Sequence, residues 1–177
     1  MKIIEGLKKI KDLRRKADDL VKLVRDNCAI SSLTKPVYGT EQKAKIDGWI
    51  QAHKDICKEI ATLKMRIAMT NHNTMVEIEL PSGKRVVNSI AYWIHRRTEL
   101  ATMEYQMWNA LTDRGIQEGI FQQNRSSTDQ DSVKVEVVRF YDPATRDNMK
   151  MDLQSEPSVI DGKLEIVNAI TDLMELE

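Results

Sequence analysis

At 177 residues and 20.4 kDa, with 41% apolar residues, the chain is long enough to bury a core and is neither a disordered tail nor a disulfide-stapled miniprotein. Charged residues make up 31% and aromatics 5%, with only 7 glycines and 4 prolines, a balance that disfavours a sandwich or barrel and favours helices. The 27 basic and 27 acidic side chains cancel, so no global field draws the protein to nucleic acid or to an anionic membrane.

Ile3, Leu7, Ile10, Ala17, Val21 and Val24 recur at alternating three- and four-residue steps, with Arg14 in one slot, and predict an amphipathic helix over about 2–26. Charges interrupt the apolar residues of the first ten positions, so no secretory signal is expected there. From 27 to 40 the pattern gives way to Asn27, Ser31, Ser32, Pro36 and Gly39, a connector. Over 41–68, Ile46, Trp49, His53, Ile56, Ile60, Leu63 and Ile67 keep steps of three and four without a miss, the signature of a coiled-coil seam. These 28 residues span about 42 Å as a helix, more than a compact domain of this size needs, so part of the seam is expected to meet another chain. Two such helices joined by a short polar connector bury their stripes by folding back as an antiparallel hairpin.

Thr70, Asn71, His72 and Asn73 are expected to end the second helix. Val76, Ile78 and Leu80, ahead of Pro81-Ser82-Gly83, predict a β-hairpin over 75–87. A third helix over 89–114, capped by Asn88 or Ser89, carries Trp93, Ile94, Leu100, Met107 and Trp108 on a broad apolar face. The polar run 115–132 has too little apolar content to pack and is expected to be a mobile loop or arm. Val133, Val135 and Val137, then Met149, Met151 and Leu153 across an Asp142-Pro143 turn, predict a second β-hairpin. Pro157 and Ser158 are expected to start a last helix bearing Ile160, Leu164, Val167 and Ile170.

The predicted fold class is therefore mainly α with small β elements (α+β): a long antiparallel helical hairpin, third and C-terminal helices packed on it, and two short β-hairpins. Residues 1–114 form the helical core, 115–132 the arm, and 133–177 complete the same domain. Charge is uneven along it, with a net +4 in residues 1–26 and −6 in residues 131–177, so head-to-tail complementarity is open alongside ordinary solvated helix faces.

Motifs of known chemistry are missing. Ser82-Gly83-Lys84 lacks the other residues of a phosphate loop, and there is no HExxH, paired CxxC or GxSxG. No catalytic residue, cofactor or membrane span is expected. His53 and Cys57, four apart on one helix face with Cys28 as a third ligand, are the candidate metal set, although a polar group in a heptad core more often sets register. Two cysteines alone fit a reducing, cytoplasmic setting. Arg96 and Arg97 are open to an acidic partner or to internal pairing.

Arg66-Ile67-Ala68-Met69-Thr70-Asn71 is similar to an Arg-Ile-Asn-x-Thr-Asn signature, and Arg96-Arg97-Thr98-Glu99-Leu100 to Arg-Arg-Asp-x-Leu. Asp161, Leu164-Glu165, Asn168-Ala169 and Leu173 follow the intervals of an Asp, Ile-Gln, Asn-Trp, Leu pattern, with Ala68, Glu165 and Ala169 departing from it. Through these residues the chain resembles a small bacterial family of unknown function, some members of which are misnamed septicolysin. The resemblance implies long antiparallel helices with short β elements and carries no activity.

The expected function is that of a non-enzymatic structural protein that self-associates through helix faces and strand edges, as a homo-oligomer or beside neighbouring proteins in a large assembly such as a phage virion. Its interface candidates are Ile46, Trp49, His53, Ile56, Ile60, Leu63 and Ile67, with Arg96 and Arg97. One alternative is a nucleic-acid-associated protein using Lys8, Lys9, Lys11, Arg14, Arg15 and Lys16, a partner that the neutral overall charge disfavours. The other is a metal protein or enzyme using His53 and Cys57.

Overall fold

A computed structural model of the chain describes residues 1–125 and 129–175. It is mainly α with two small antiparallel strand pairs. The elements run α1 (Ile3–Asn27), α2 (Gln42–Asn73), β1 (Met75–Glu79), β2 (Arg85–Ser89), α3 (Ile90–His95), α4 (Ala101–Asn109), β3 (Gly119–Arg125), β4 (Asp129–Val135) and α5 (Pro143–Ile170). A 3-10 turn, Gly39–Glu41, precedes α2, and a π-helical turn, Arg96–Leu100, joins α3 to α4. The chain divides into two units: one holds residues 1–76, 87–92 and 162–177, the other 77–86 and 93–161.

In the first unit α1 and α2 pair as the hairpin that their periodicity predicts. The side chains they bury are concentrated at one end: α1 buries Ile3, Ile10, Leu13 and Ala17, and α2 buries Leu63, Ile67 and Thr70. Gly6 lies where a Cβ would stand 2.8 Å from the Leu173 side chain, so only glycine admits so close an approach without repacking. Lys9 and Glu59 form an ion pair across the hairpin at 2.6 Å.

The last residues fasten this end. Ile3 N–H donates to Thr171 O at 3.0 Å and Leu173 N–H to Met1 O at 2.8 Å, a single antiparallel bridge in which Lys2 Nζ also reaches Asp172 Oδ2 at 2.6 Å. On the other side, Arg66 Nε donates to Met174 O at 2.8 Å, while the buried Thr70 hydroxyl accepts Met174 N–H at 2.9 Å and donates to Arg66 O at 2.8 Å.

Four expectations are corrected. First, α2 runs on through Thr70–Asn73: Ile67 and Thr70 are buried, the tail's Met174 N–H bonds to the Thr70 hydroxyl, and Thr74 N–H still closes on Thr70 O at 2.9 Å, so packing outweighs the polar composition. Second, the helix begun at Ile90, with Ser89 Oγ accepting Tyr92 N–H, stops at Asn109 rather than 114; Arg114 and Gly115 then take positive φ of 54° and 71°.

Third, the 115–132 run is not a loop throughout. Gly119–Arg125 pairs with Asp129–Val135 in register from Gly119↔Val135 to Arg125↔Asp129, and 126–128 lie outside the described residues. A ladder satisfies backbone donors and acceptors whatever the side chains, so low apolar content does not forbid it.

Fourth, Val133 and Val135 pair backward with that strand, and Met149, Met151 and Leu153 are helical. Helix α5 starts at Pro143 with Asp142 as its cap, whose carboxylate accepts Ala144 N–H at 3.2 Å and Thr145 N–H at 2.9 Å. It continues through Pro157, which does not start it. Leu153, Glu156, Ile160, Leu164 and Val167 are all buried at three- and four-residue steps, a helical period that outweighs the three-residue alternation at 149–153.

Thr70→Val keeps the shape but deprives Met174 N–H of its acceptor. The expected cost is about 1–3 kcal/mol, read as a lower urea midpoint with an unchanged slope; an unchanged midpoint would show that the tail does not depend on this hydroxyl.

Candidate association surface

Beyond Ala17 in α1, and before Leu63 in α2, the hairpin buries no side chain. The cause is geometric: two helices share one seam, and a stripe wider than that seam stays open on both sides unless a third element covers it. Residues 42–62 of α2 extend about 31 Å in this condition. A shallow groove of about 240 Å³ opens there between Leu20, Val21 and Val24 of α1 and Trp49, Ile50 and His53 of α2. The Trp49 ring meets Tyr38 edge to face, centroids 5.5 Å apart. Farther out, the 28–38 connector carries Ile30, Val37 and a Leu33 that is 96% exposed.

The sequence-derived interface residues therefore separate into groups. Leu63 and Ile67 are buried within the first unit; Ile46, Trp49, His53, Ile56 and Ile60 are half-buried along the open stretch. Val21 of the predicted α1 stripe and Ile50, which widens the stripe of α2, line the same groove and are more exposed than these five, although neither stands among the interface candidates.

Cys57 Sγ and His53 Nδ1 are 3.7 Å apart, which realises the one-turn spacing of the candidate metal pair. Cys28 and Cys57 are both exposed thiols. Among the described residues no group of three or more His, Cys, Asp and Glu is placed to hold a metal ion.

Arg96 and Arg97 belong to the second unit and are committed to carboxylates of that unit. The Arg96 guanidinium bridges Glu156 and Glu104: its Nη2 donates to Glu156 Oε2 and to Glu104 Oε2, each at 2.9 Å, and Nε and Nη1 complete the two forks. The Arg96 side chain is 11% exposed and that of Glu156 only 4%. The hydrogen bonds to Glu156 and then Glu104 raise the guanidinium pKa above its ordinary value, and Arg96 in turn holds Glu104 below the usual carboxylate range. Arg97 pairs with Asp161. The π-helical turn in which both arginines sit was not foreseen, since its extra residue leaves no compositional mark.

A second acid-base network lies nearby in the chain. Asp113 accepts from Arg139 Nε at 2.8 Å, Arg139 Nη2 at 2.6 Å and Tyr141 OH at 2.9 Å, beside a Phe140 that is 97% exposed. Hydrogen bonds from Arg139 and then Tyr141 hold its carboxyl below the ordinary value. Among the described residues no helix is long and apolar enough to cross a membrane.

No family model matches the chain, and no curated protein matches it. A solved structure does resemble it: the crystal structure of a functionally unknown conserved protein from Corynebacterium diphtheriae matches with a TM-score of 0.55 at 17% sequence identity, over 98% of this chain and 99% of that one. At that identity the likeness is one of fold, shared with a bacterial protein of unknown function.

Glu156→Ala strips the buried Arg96 of one fork. The expected loss is about 3 kcal/mol, while Arg96→Met with Glu156→Leu recovers most of it; equal losses in the single and double variants would argue against a paired buried charge. A folded-state carboxyl pKa below the unfolded value of about 4 contributes stability that is present above that value and is lost as pH falls through the folded one. Asp113 and Glu104 are both of this kind. The urea midpoint should fall on acidification below about pH 4, less steeply in Asp113→Asn; an identical slope in that variant would remove Asp113 from the linkage.

Proposed function

We propose that this chain is a non-enzymatic structural protein that self-associates through helix faces and strand edges left uncovered by its own fold. The supporting observation is the open half of the α1–α2 hairpin, where half-buried Trp49 lies beside exposed Val21 and Ile50, with half-buried Ile56 and Ile60 farther along α2. Contiguous apolar surface of this kind on a water-exposed helix pair is characteristic of an interaction site. A second helix pair laid against it would complete a four-helix arrangement and cover both sides of the seam. The two free strand edges of the β3–β4 ribbon offer a further place for pairing. A cytoplasmic homo-oligomer, or a component of a larger assembly such as a phage virion, suits these surfaces, as does kinship with the small bacterial family of misnamed septicolysins.

Light scattering on the purified chain at micromolar concentration tests the reading. A defined oligomer is expected, and Val21→Asp with Ile50→Asp should shift it toward monomer while the helical circular dichroism stays unchanged. A strict monomer in the unsubstituted chain would defeat the proposal.

A further inference from the structure

We infer that two copies of this chain meet by seating the exposed Ile166–Ile170 ridge of α5 from one copy in a basic-rimmed groove between α1 and α2 of the other. This deepens the self-association reading and rests on it.

The groove lies at the well-packed end of the hairpin and encloses about 590 Å³. Leu7, Ile10 and Ile67 give it an apolar floor, and Lys11, Arg14 and Lys64 stand around it with no acidic residue in the lining. The neighbouring Lys9 is neutralised by Glu59, whereas none of these three cations has a carboxylate partner among the described residues. Asn71, also in the lining, has a buried Oδ1 that accepts no hydrogen bond. A surface with unpaired cations over an apolar floor, and an acceptor still lacking a donor, fits an occupant that is itself apolar, carries carboxylates and brings an N–H or O–H.

The chain contains such a segment. Ile166 and Ile170, one helical turn apart on α5, are 60% and 65% exposed, and Ala169 between them is exposed as well. Glu165 adjoins this ridge and Glu175 follows it; neither has an ion pair among the described residues, unlike Asp161 and Asp172, which are held by Arg97 and Lys2. The charge balance of the whole chain runs the same way, a net +4 in residues 1–26 against −6 in residues 131–177. Apolar burial would supply the binding free energy, and the cation-carboxylate match would set orientation and exclude the like-on-like arrangement. Groove and ridge share no residue, so the contact joins unlike patches and either reciprocates in a closed pair or continues from copy to copy.

Cysteine cross-linking in the full chain tests the pairing. In a Cys28→Ser, Cys57→Ser background, one preparation carries Ala68→Cys in the groove and another carries Ala169→Cys on the ridge, both at exposed positions. The two are mixed and oxidised with a mild copper reagent. The 68–169 product is expected to exceed the symmetric 68–68 and 169–169 products about tenfold, because a specific contact raises the effective concentration of the pair. Lys64→Glu in the groove copy should abolish the excess, and Glu165→Lys in the ridge copy should restore it. A statistical mixture of products, or no restoration by the charge exchange, from a chain that light scattering shows to be oligomeric would overturn this pairing and leave self-association standing. A monomeric chain would overturn both.

Discussion

Two helices wound against each other share a single seam, and whatever apolar surface exceeds that seam must be covered by something else or face water. In the first unit that requirement is met at one end and not at the other. Near residues 3–17 and 63–70, α1, α2 and the final segment together bury Ile3, Ile10, Leu63, Ile67 and Leu173. From Leu20 to Asn27 and from Gln42 to Thr62 no residue is buried. The contrast lies in the availability of a third element, since the heptad spacing of α2 is as regular in the open half as in the closed one.

The polar anchor of the closed end is economical. Thr70 serves as acceptor and donor at once, and Arg66 engages the tail beside it. In the second unit Arg96 and Arg97 are likewise taken up by Glu156, Glu104 and Asp161. These side chains thus mark places where the fold is fastened.

The long elements were legible because burial imposes a period on them. The strict steps from Ile46 to Ile67 located α2, and Ser89 marked the start of α3 through its hydroxyl. What escaped reading was decided by competition between local signals. Met149, Met151 and Leu153 satisfy an alternating pattern and a helical one together, and the capping carboxylate of Asp142 with buried Leu153 and Ile160 resolves it as helix. Polar residues at 119–132 suggested a loop, although a ribbon needs only backbone partners. The surface flanked by Val21 and Ile50 was only half visible, because apolar residues on or beside a stripe look the same in sequence whether a neighbour covers them or not. His53 and Cys57 were correctly placed on one face, but spacing along one helix says nothing about further ligands arriving from elsewhere.

The π-helical turn at Arg96–Leu100 accommodates one residue more than an α-helical turn would. Because the wider turn takes up that residue, the helices on either side keep their rotational phase, and deleting one residue from this stretch would return the backbone to ordinary α geometry with the side chains of α4 still facing as they do. Loss of a residue within these five positions is therefore absorbed locally: the turn tightens while Met103, Tyr105 and Trp108 keep their aim.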